Sequence, residues 1–332
     1  MDIHAPIQPA FEVGILPLPG FAMMSYACCV EPFRAANLLG QRDLYRVRHF
    51  GLGATVQSSG AGSVAAEVIS KTARPRLDLL VVVSGGDPFV HTGGELGAWL
   101  RQMALDGTQI GGVSGGPVVL ALAGLMQGRR MTVHWEHATA LAEIAPELLL
   151  ERRLYVIDRD RVTCGGGTAP LDMIHALMAQ REGAGFARLV SDWFLHTEIR
   201  QAGAPQRGGL SERTGLPPGP LLDVVGAIDD HLSDPLTLEQ LAQLAGVTGR
   251  QLNRLFRDRL GESTMAYYRR MRLTLARDLL NRSPLRVAEV ASATGFSNAA
   301  HFSFAFKEQF GHSPSEHRRL GLDGLRNQGE TR

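Results

Sequence analysis

Cysteine is scarce in this chain, and its scarcity excludes one class of fold. Three cysteines, Cys28, Cys29 and Cys164, occur among 332 residues. An odd and sparse set does not build a disulfide framework, and it is typical of proteins that work in a reducing cytoplasm. The histidines show no metal-ligand spacing with these cysteines or with one another, so we predict no metal site and no cofactor.

Long apolar runs and a strong net charge are also missing. No apolar run approaches the roughly 18 residues that span a bilayer, and the amino terminus lacks a basic start followed by an apolar core. We therefore expect no export, no membrane partner and a cytoplasmic location. The formal net charge is only +1, but ten arginines and three acidic residues lie between residues 250 and 286. The basic charge is concentrated in that stretch.

Short apolar runs alternate with helical patterns over the first two hundred residues. The pattern predicts strands at 11–16, 45–51, 77–83 and 108–113, and helices at 23–39 and 94–105. The runs at 79–83 and 110–113 lack polar alternation, which is typical of strands covered on both faces. We therefore predict an α/β fold with a doubly wound, mostly parallel, flavodoxin-like sheet.

Glycine-rich turns follow three of the apolar runs. They are Ser84–Asp87, Ser114–Gly116 and Cys164–Gly167. Each could simply be a tight turn between a strand and a helix that needs positive φ. Because ligands bind outside the carboxyl ends of parallel strands, three such turns together predict a shared pocket.

The sequence of residues 111–125, GGVSGGPVVLALAGL, predicts a strand, a sharp turn and a helix. It matches the G-x-S-x-G pattern of a nucleophile elbow around Ser114. Two functions remain open for this turn. Either Ser114 attacks a substrate, with His134 as its base and Glu136 or Glu31 orienting that base, or the turn holds a ligand.

A linker separates this part of the chain from the rest. Nine of the eighteen residues between 203 and 220 are glycine or proline, and such a stretch is not expected to sustain a helix or a strand. We predict a ligand-sensing domain at 1–202, a linker at 203–220 and an all-α DNA-binding domain at 221–320. We also predict a flexible tail at 321–332.

One pattern occurs twice in the predicted all-α domain. A small residue is followed four positions later by glycine and then by two large apolar residues four apart. The members are Ala242, Gly246, Leu252 and Phe256 in the first copy, and Ala291, Gly295, Phe302 and Phe306 in the second. Each copy predicts a helix, a tight turn and a second helix packed across the first, which is a helix-turn-helix unit.

The outward faces of the two second helices are polar and basic. Arginine, asparagine and glutamine match the donors and acceptors of base edges, and arginine also neutralises phosphates. We predict that both faces bind a double-stranded DNA operator. The predicted DNA-binding residues are Thr248, Arg250, Gln251, Asn253, Arg254, Arg257, Ser297, Asn298, Ala300, His301, Ser303 and Lys307.

The order of these motifs resembles two known families. The amino-terminal motifs are similar to the ThiJ/PfpI branch of the class I glutamine amidotransferase-like fold: Leu18–Phe21, Pro32–Asn37, Val83–Gly86, the Ser114 turn and Thr132–Trp135. The stretch 288–318 resembles the AraC/XylS DNA-binding domain. Together they resemble the group of AraC/XylS-type regulators that carry a ThiJ/PfpI-like domain at the amino terminus.

The resemblance implies that this domain is not an enzyme. Enzymes of the ThiJ/PfpI superfamily use a cysteine in the elbow, a histidine after it and an acidic residue. In this chain Ser114 stands at the elbow and Ser25 aligns with the acidic position, while His134 alone matches. The resemblance therefore implies a transcription regulator, and specifically an activator, whose inactive enzyme-like domain senses a small metabolite.

The resemblance also implies an effector class. Regulators of choline, glycine betaine, carnitine or arginine catabolism are similar over the full length, which implies a quaternary ammonium or basic amino acid effector. Trp135, with Glu136 or Glu31, could hold such a cation, unless Trp135 packs in the core. The predicted ligand-binding residues are Ser25, Glu31, Gly85, Gly86, Ser114, Gly115, His134, Trp135 and Glu136.

The sequence is consistent with three functions. A regulator of this group would work as a homodimer with RNA polymerase, and its effector would change DNA binding without being consumed. A serine hydrolase or amidase with an appended DNA-binding module would require turnover through Ser114. An architectural DNA-binding protein, whose α/β domain only dimerises, would bind no effector.

Overall fold

The computed structural model describes residues 9–70, 75–91 and 94–320. It divides the chain into two compact units, Met1–Gln206 and Arg207–Arg332. The division falls inside the predicted linker. The predicted flexible tail, 321–332, lies outside the described residues.

The amino-terminal unit alternates strands with helices, as the apolar periodicity predicts. Its strands are β1 (Phe11–Pro17), β2 (Tyr45–Gly51), β3 (Thr55–Gln57), β4 (Ser63–Ala65), β5 (Glu67–Val68), β6 (Leu79–Ser84), β7 (Gln109–Ser114), β8 (Arg130–Met131), β9 (Leu149–Leu150), β10 (Tyr155–Asp158) and β11 (Arg161–Cys164). Its helices are α1 (Met23–Gly40), α2 (Gly94–Leu105), α3 (Gly116–Leu122), α4 (Trp135–Ile144), α5 (Ala169–Glu182) and α6 (Ala184–Trp193).

Seven of these strands form one sheet in the order β10-β11-β7-β6-β1-β2-β5. Every neighbouring pair in it is parallel except β10 and β11. All six residues of β6 are buried, and so are the last five of β7. The predicted α/β fold with a mostly parallel sheet is therefore confirmed, with β6 and β7 at its centre.

The parallel pairing brings the ends of three strands to one edge of the sheet. Ser84 at the end of β6 pairs with Ser114 at the end of β7, and Cys164 at the end of β11 pairs with Val113. Ser114 adopts φ +60, a left-handed conformation that non-glycine residues rarely take. The G-x-S-x-G pattern therefore predicted the backbone of the turn correctly.

The predicted linker is not wholly without secondary structure, contrary to the expectation from its glycine and proline content. A short helix, α7 (Leu210–Thr214), lies within it. Leu210 packs against the core of the second unit, and Leu216 is buried in that core. The apolar side chains between the glycines thus tie the second half of the predicted linker to the carboxyl-terminal unit.

The carboxyl-terminal unit is helical, as predicted. Its further helices are α8 (Pro220–Asp230), α9 (Leu238–Leu244), α10 (Gly249–Leu260), α11 (Thr264–Arg282), α12 (Val287–Ala293) and α13 (Ala299–Phe310). Gly246 and Gly295 have φ +65 and +72 in the turns before α10 and α13, where other residues would be strained. The large apolar residues of the repeat are completely buried, which gives two helix-turn-helix units. None of the described helices is long and apolar enough to cross a membrane.

Candidate functional site

Two serines from distant parts of the chain meet at the glycine turn after β11. The Gly167 N–H donates a hydrogen bond of 2.8 Å to Ser25 Oγ. A Cβ atom added at Gly166 would lie 2.7 Å from the Cβ of Ser114 and 3.0 Å from Ser25 Oγ. Only glycine fits between them, so the turn at 164–167 packs directly against the elbow.

A cavity of about 210 Å³ opens beside this turn. It lies at the carboxyl edge of the sheet, where ligands bind in open parallel α/β folds. Of the predicted ligand-binding residues, His134 and Trp135 line it, and Ser25 and Ser114 lie behind Gly166 in its wall. The lining residues are His134, Trp135, Leu154, Gly165, Gly166, Gly167, Thr168, Ala169, Arg200 and Gln206.

Trp135 is 41% exposed. The alternative that this side chain packs in the core is therefore wrong. Its ring lies 5.3 Å from the ring of His134, so two neighbouring aromatic residues line the cavity.

Arg200 brings a positive charge to the cavity. It was not among the ligand-binding residues predicted from the sequence. Asp172, whose side chain is completely buried, accepts hydrogen bonds of 3.0 Å and 2.7 Å from Arg200 Nε and Nη2. Nη2 also donates to Thr168 Oγ1 at 2.9 Å. The other carboxylate oxygen of Asp172, Oδ1, lies at a hydrogen-bond distance of 2.8 Å from Nε2 of His196. A carboxylate in the apolar helix sequence APLDMI needs such a cation, and this requirement was the signal available from the sequence.

Gln206 is the second lining residue that sequence analysis missed. Its Oε1 accepts the backbone N–H of Trp135 at 2.9 Å. Its Nε2 lies 3.1 Å from Thr132 Oγ1, 2.9 Å from the Val133 carbonyl and 2.7 Å from the Arg153 carbonyl. One amide therefore links the strand β8 region, the start of α4 and the segment before β10.

Glu31, predicted as a ligand-binding residue, is placed elsewhere by the structure. Glu31 forms a surface ion pair of 2.6 Å with Arg34, one turn along the same helix. It is not among the residues that line the cavity. The prediction that Glu31 faces the ligand is wrong for this cavity, because helical spacing pairs it with Arg34.

The turn after β6 does not contribute to the cavity either. A Cβ atom at Gly85 would lie 2.7 Å from the Gly20 carbonyl oxygen and 2.9 Å from the Ala22 nitrogen. The loop before α1 thus fills the space in front of Gly85, whereas no atom lies within 4 Å of a Cβ at Gly86, and neither glycine lines the cavity. The prediction of one pocket shared by all three turns is therefore wrong for this cavity: the turn at 164 lines it, Ser114 lies behind Gly166, and the turn at 84 is not part of the lining.

Gly115 and Glu136 also lie outside the lining. The Gly115 N–H donates to the Ser84 carbonyl at 3.1 Å, and a Cβ atom there would meet Pro88 at 2.8 Å. Glu136 instead interacts with His134, whose Nδ1 accepts the Glu136 backbone N–H at 3.4 Å as the amino-terminal cap of α4. Gly115 and Glu136 thus bond to neighbouring residues of the turns and do not line the cavity.

The Glu136 side chain also approaches this cap, and its carboxylate lies 3.7 Å from Nδ1 of His134. The His134 backbone N–H donates to the Ser114 carbonyl at 3.3 Å. His134 and Ser114 are thus joined through the main chain.

The three cysteines are buried thiols. Burial raises the pKa of Cys28 from 9.0 to about 11 and that of Cys164 from 9.0 to about 12, and it raises the pKa of Cys29 well above 9.0. A thiol needs a lowered pKa to act as a nucleophile near neutral pH. Cys28 and Cys29 are buried in α1, where they pack as small apolar side chains of the core.

The outward face of α10 carries exposed cationic side chains, Arg250, Arg254 and Arg257. Thr248 and Gln251 cap the helix, since each side chain accepts the other residue's backbone N–H. These five side chains remain exposed. Asn253 is different, because it is half-buried and its Oδ1 accepts the Thr264 N–H at 3.0 Å, which leaves only its amide nitrogen for DNA.

The corresponding face of α13 is less basic. Asn298 caps this helix through bonds of 2.8 Å and 3.2 Å from the Ala300 and His301 N–H groups. Of the other predicted residues, Ser297, Ala300, His301 and Lys307 are exposed and Ser303 is half-buried. Phe304 is also on this helix and is 72% exposed. It was not predicted as a site residue.

Comparison with known proteins agrees with this division into two functional regions. Residues 29–180 match the DJ-1/PfpI family and residues 241–320 match the helix-turn-helix domain family. The chain is 44% identical to the HTH-type transcriptional regulator GlxA of Rhizobium meliloti, over 93% of this chain and 95% of that protein. This chain is an AraC-type transcriptional regulator with a DJ-1/PfpI domain.

Other relatives of this AraC-type regulator support the same family. It is 38% identical to the HTH-type transcriptional regulator CdhR of Pseudomonas aeruginosa, over 92% of this chain and 91% of that protein. A solved AraC family regulator from Pseudomonas putida has a TM-score of 0.50 and 26% identity, and covers 55% of this chain and 99% of its own. The regulator therefore binds DNA through its helix-turn-helix region.

Proposed function

We propose that the amino-terminal domain of this AraC-type regulator senses a small metabolite that carries both a carboxylate and a cationic ammonium group. The observation that carries the proposal is the presence of Arg200 and Trp135 in one cavity of about 210 Å³. Drug-sized ligands occupy about 300–1,000 Å³, so this cavity suits a smaller molecule. Betaines, carnitine and basic amino acids combine the two groups in a small molecule.

Arg200 would bind the carboxylate. Asp172 fixes its guanidinium through Nε and Nη2, and Nη1 has no hydrogen-bond partner among the described residues. A guanidinium held in this way has lost its rotational freedom before the ligand arrives, which lowers the entropic cost of binding. The first turn of α5 at Ala169 borders the same cavity, and the positive end of its dipole favours an anion.

Trp135 would bind the cationic group. A quaternary ammonium cannot donate a hydrogen bond, and proteins bind it against the faces of aromatic rings. Trp135 and His134 supply two such rings, 5.3 Å apart. The carboxylate partners first considered for the cation, Glu31 and Glu136, are not needed in this arrangement.

The domain would bind its effector without consuming it. An elbow serine needs a positioned base and an acidic residue that orients it, and Ser25, which accepts the Gly167 N–H, stands where the ThiJ/PfpI enzymes have the acid. The left-handed Ser114 turn would serve as a wall of the cavity. Effector-stimulated hydrolysis that is lost in S114A would support the hydrolase alternative instead.

The carboxyl-terminal unit would bind its operator with α10 and α13 in successive major grooves of one DNA face. Twelve residues are proposed as contacts, and the exposed Arg250, Arg254 and Arg257 supply most of their charge. The regulator would act in the cytoplasm as a homodimer and activate transcription by recruiting RNA polymerase. A half-site spacing of one or more helical turns would then follow from the dimer symmetry.

Gln206 would couple the effector to DNA binding. It lines the cavity and is the last residue of the amino-terminal unit, directly before Arg207. An effector can shift an equilibrium only through a difference in its affinity for two states. A ligand in the cavity would favour one set of Gln206 hydrogen bonds, and thereby one path of the chain that leads to the DNA-binding unit.

Calorimetry on the full-length protein tests the effector proposal. Glycine betaine, carnitine and arginine carry a carboxylate, whereas choline carries the quaternary ammonium alone. We expect heat with at least one of the first three and binding of choline at least tenfold weaker. The absence of heat with all three, or equal binding of choline, would contradict the proposed recognition by Arg200.

A further inference from the structure

The two helix-turn-helix units place different side chains at the same position. Arg254 follows the capping residue Thr248 by six positions and precedes the buried Phe256 by two. In the second unit Phe304 follows the capping residue Asn298 by six positions and precedes the buried Phe306 by two. The internal repeat therefore pairs Arg254 with Phe304.

Phe304 has no packing role that explains it. It is 72% exposed, whereas Phe302 and Phe306 on the other side of α13 are completely buried. Ala300 lies one turn before it and Lys307 about one turn after it, and both are exposed. The methyl group of Ala300 leaves space beside the ring, and the ammonium of Lys307 is suited to a phosphate. An exposed aromatic ring thus stands at the centre of the outward face.

The major groove offers this ring one strongly apolar partner. Each base pair presents hydrogen-bond donors and acceptors there, and thymine alone adds a C5-methyl group. An arginine at the equivalent position pairs with the O6 and N7 atoms of guanine. Phenylalanine can make no such hydrogen bond, but it can bury a methyl group.

We infer that Phe304 determines the specificity of the second helix-turn-helix unit by contacting a thymine C5-methyl group, while Arg254 reads guanine in the first. The inference rests on the proposal that α10 and α13 enter major grooves. The operator is then chemically asymmetric within each protein-binding site. One segment contains an essential guanine and the neighbouring segment contains an essential thymine.

Replacement of thymine by deoxyuridine tests the inference, because it removes the methyl group and leaves all hydrogen-bonding atoms. A duplex is first selected from a randomised library by the full-length protein. Each thymine of that duplex is then replaced in turn, and dissociation constants are measured for the wild type and for F304A. We expect one deoxyuridine position to weaken wild-type binding about fourfold, which corresponds to one buried methyl group. F304A should bind the parent duplex more weakly and should not respond to deoxyuridine at that position.

The outcomes separate this inference from the proposed function. If a sequence is selected but no deoxyuridine position weakens wild-type binding, the role of Phe304 is wrong and the DNA interface stands. If F304A responds to deoxyuridine as the wild type does, the inference is equally overturned. If F304A binds the duplex normally but loses promoter output, Phe304 contacts a protein partner. If the protein selects no sequence from the library, the proposed docking of both helices is overturned. R254A would then bind DNA with the same affinity as the wild type.

Discussion

The side-chain amide of Gln206 accepts the backbone N–H of Trp135 at 2.9 Å across a separation of 71 residues. Trp135, which lines the cavity, is thereby tied to the residue that ends the amino-terminal unit. Movement of Trp135 on binding would alter this bond directly. A change in the hydrogen bond between Trp135 and Gln206 would be the first step of the proposed signal from the cavity to the DNA-binding unit.

Gln206→Ala should separate effector binding from the transcriptional response. The variant loses the bonds to four residues, so we expect the free energy of unfolding of the amino-terminal unit to fall by about 1–3 kcal/mol. Effector binding should weaken but persist, because Gln206 lines the cavity and holds Trp135 while Arg200 and Trp135 themselves remain. Promoter output should no longer depend on the effector. A variant with a normal effector response would contradict the coupling.

Trp135→Ala should weaken binding of a cationic effector, and Trp135→Phe should restore most of the affinity. A cation over an aromatic face contributes about 0.5–2 kcal/mol, which predicts a loss of roughly 2- to 30-fold. The phenylalanine variant keeps a π face and is the matched control. Calorimetry gives both dissociation constants. Equal losses of effector affinity in the two variants would indicate that the shape of the indole, and not its π face, determines binding.

Ser114→Gly should stabilise the protein, and Ser114→Ala should not. Ser114 has φ +60, which costs a non-glycine residue roughly 1 kcal/mol or more. Neither change should abolish effector binding if the residue is only a wall of the cavity. Chemical denaturation measures the first effect and calorimetry the second. Loss of a substrate-consuming activity in S114A would show that the serine is a nucleophile.

Much of the fold could be predicted from periodicity alone. The bounds of β2 and α2 agree with the predicted strand at 45–51 and helix at 94–105, because each has a clear local pattern. The juxtaposition of Ser25 and Ser114 was accessible only through the family resemblance. Arg200 and Gln206 were not predicted, because each reaches its partners across at least 28 residues and lies outside regular secondary structure. Local pattern does not specify such contacts.

The natural thiols should be unreactive in the folded protein. With pKa values of about 11 for Cys28 and about 12 for Cys164, almost no thiolate exists at pH 8. An aromatic disulfide reagent should therefore label none of the three within minutes, and all three after denaturation. The folded pKa values are raised, so this contribution to stability is present below pH 9 and declines as the pH rises above it, where the unfolded thiols ionise.

Arg254→Ala should reduce operator affinity without changing effector affinity. A side chain that reads a base contributes about 1–3 kcal/mol, which predicts a loss of roughly 5- to 150-fold. Arg34→Ala is the matched control, since it removes the same charge from an exposed surface pair in the other unit. Fluorescence anisotropy with the selected duplex gives both values. If Arg254→Ala lowered both operator affinity and effector affinity, the assignment of these two functions to separate units would be contradicted.

The buried thiols make this regulator suitable for site-specific labelling. Because the three natural cysteines are shielded, a cysteine introduced by T168C would carry an attached fluorophore at a single position. Thr168 is exposed and lines the cavity of about 210 Å³. Emission from such a dye would respond to occupancy of the cavity in the intact protein. The shielding of the natural thiols thus makes one exposed cavity residue an attachment point for an optical sensor.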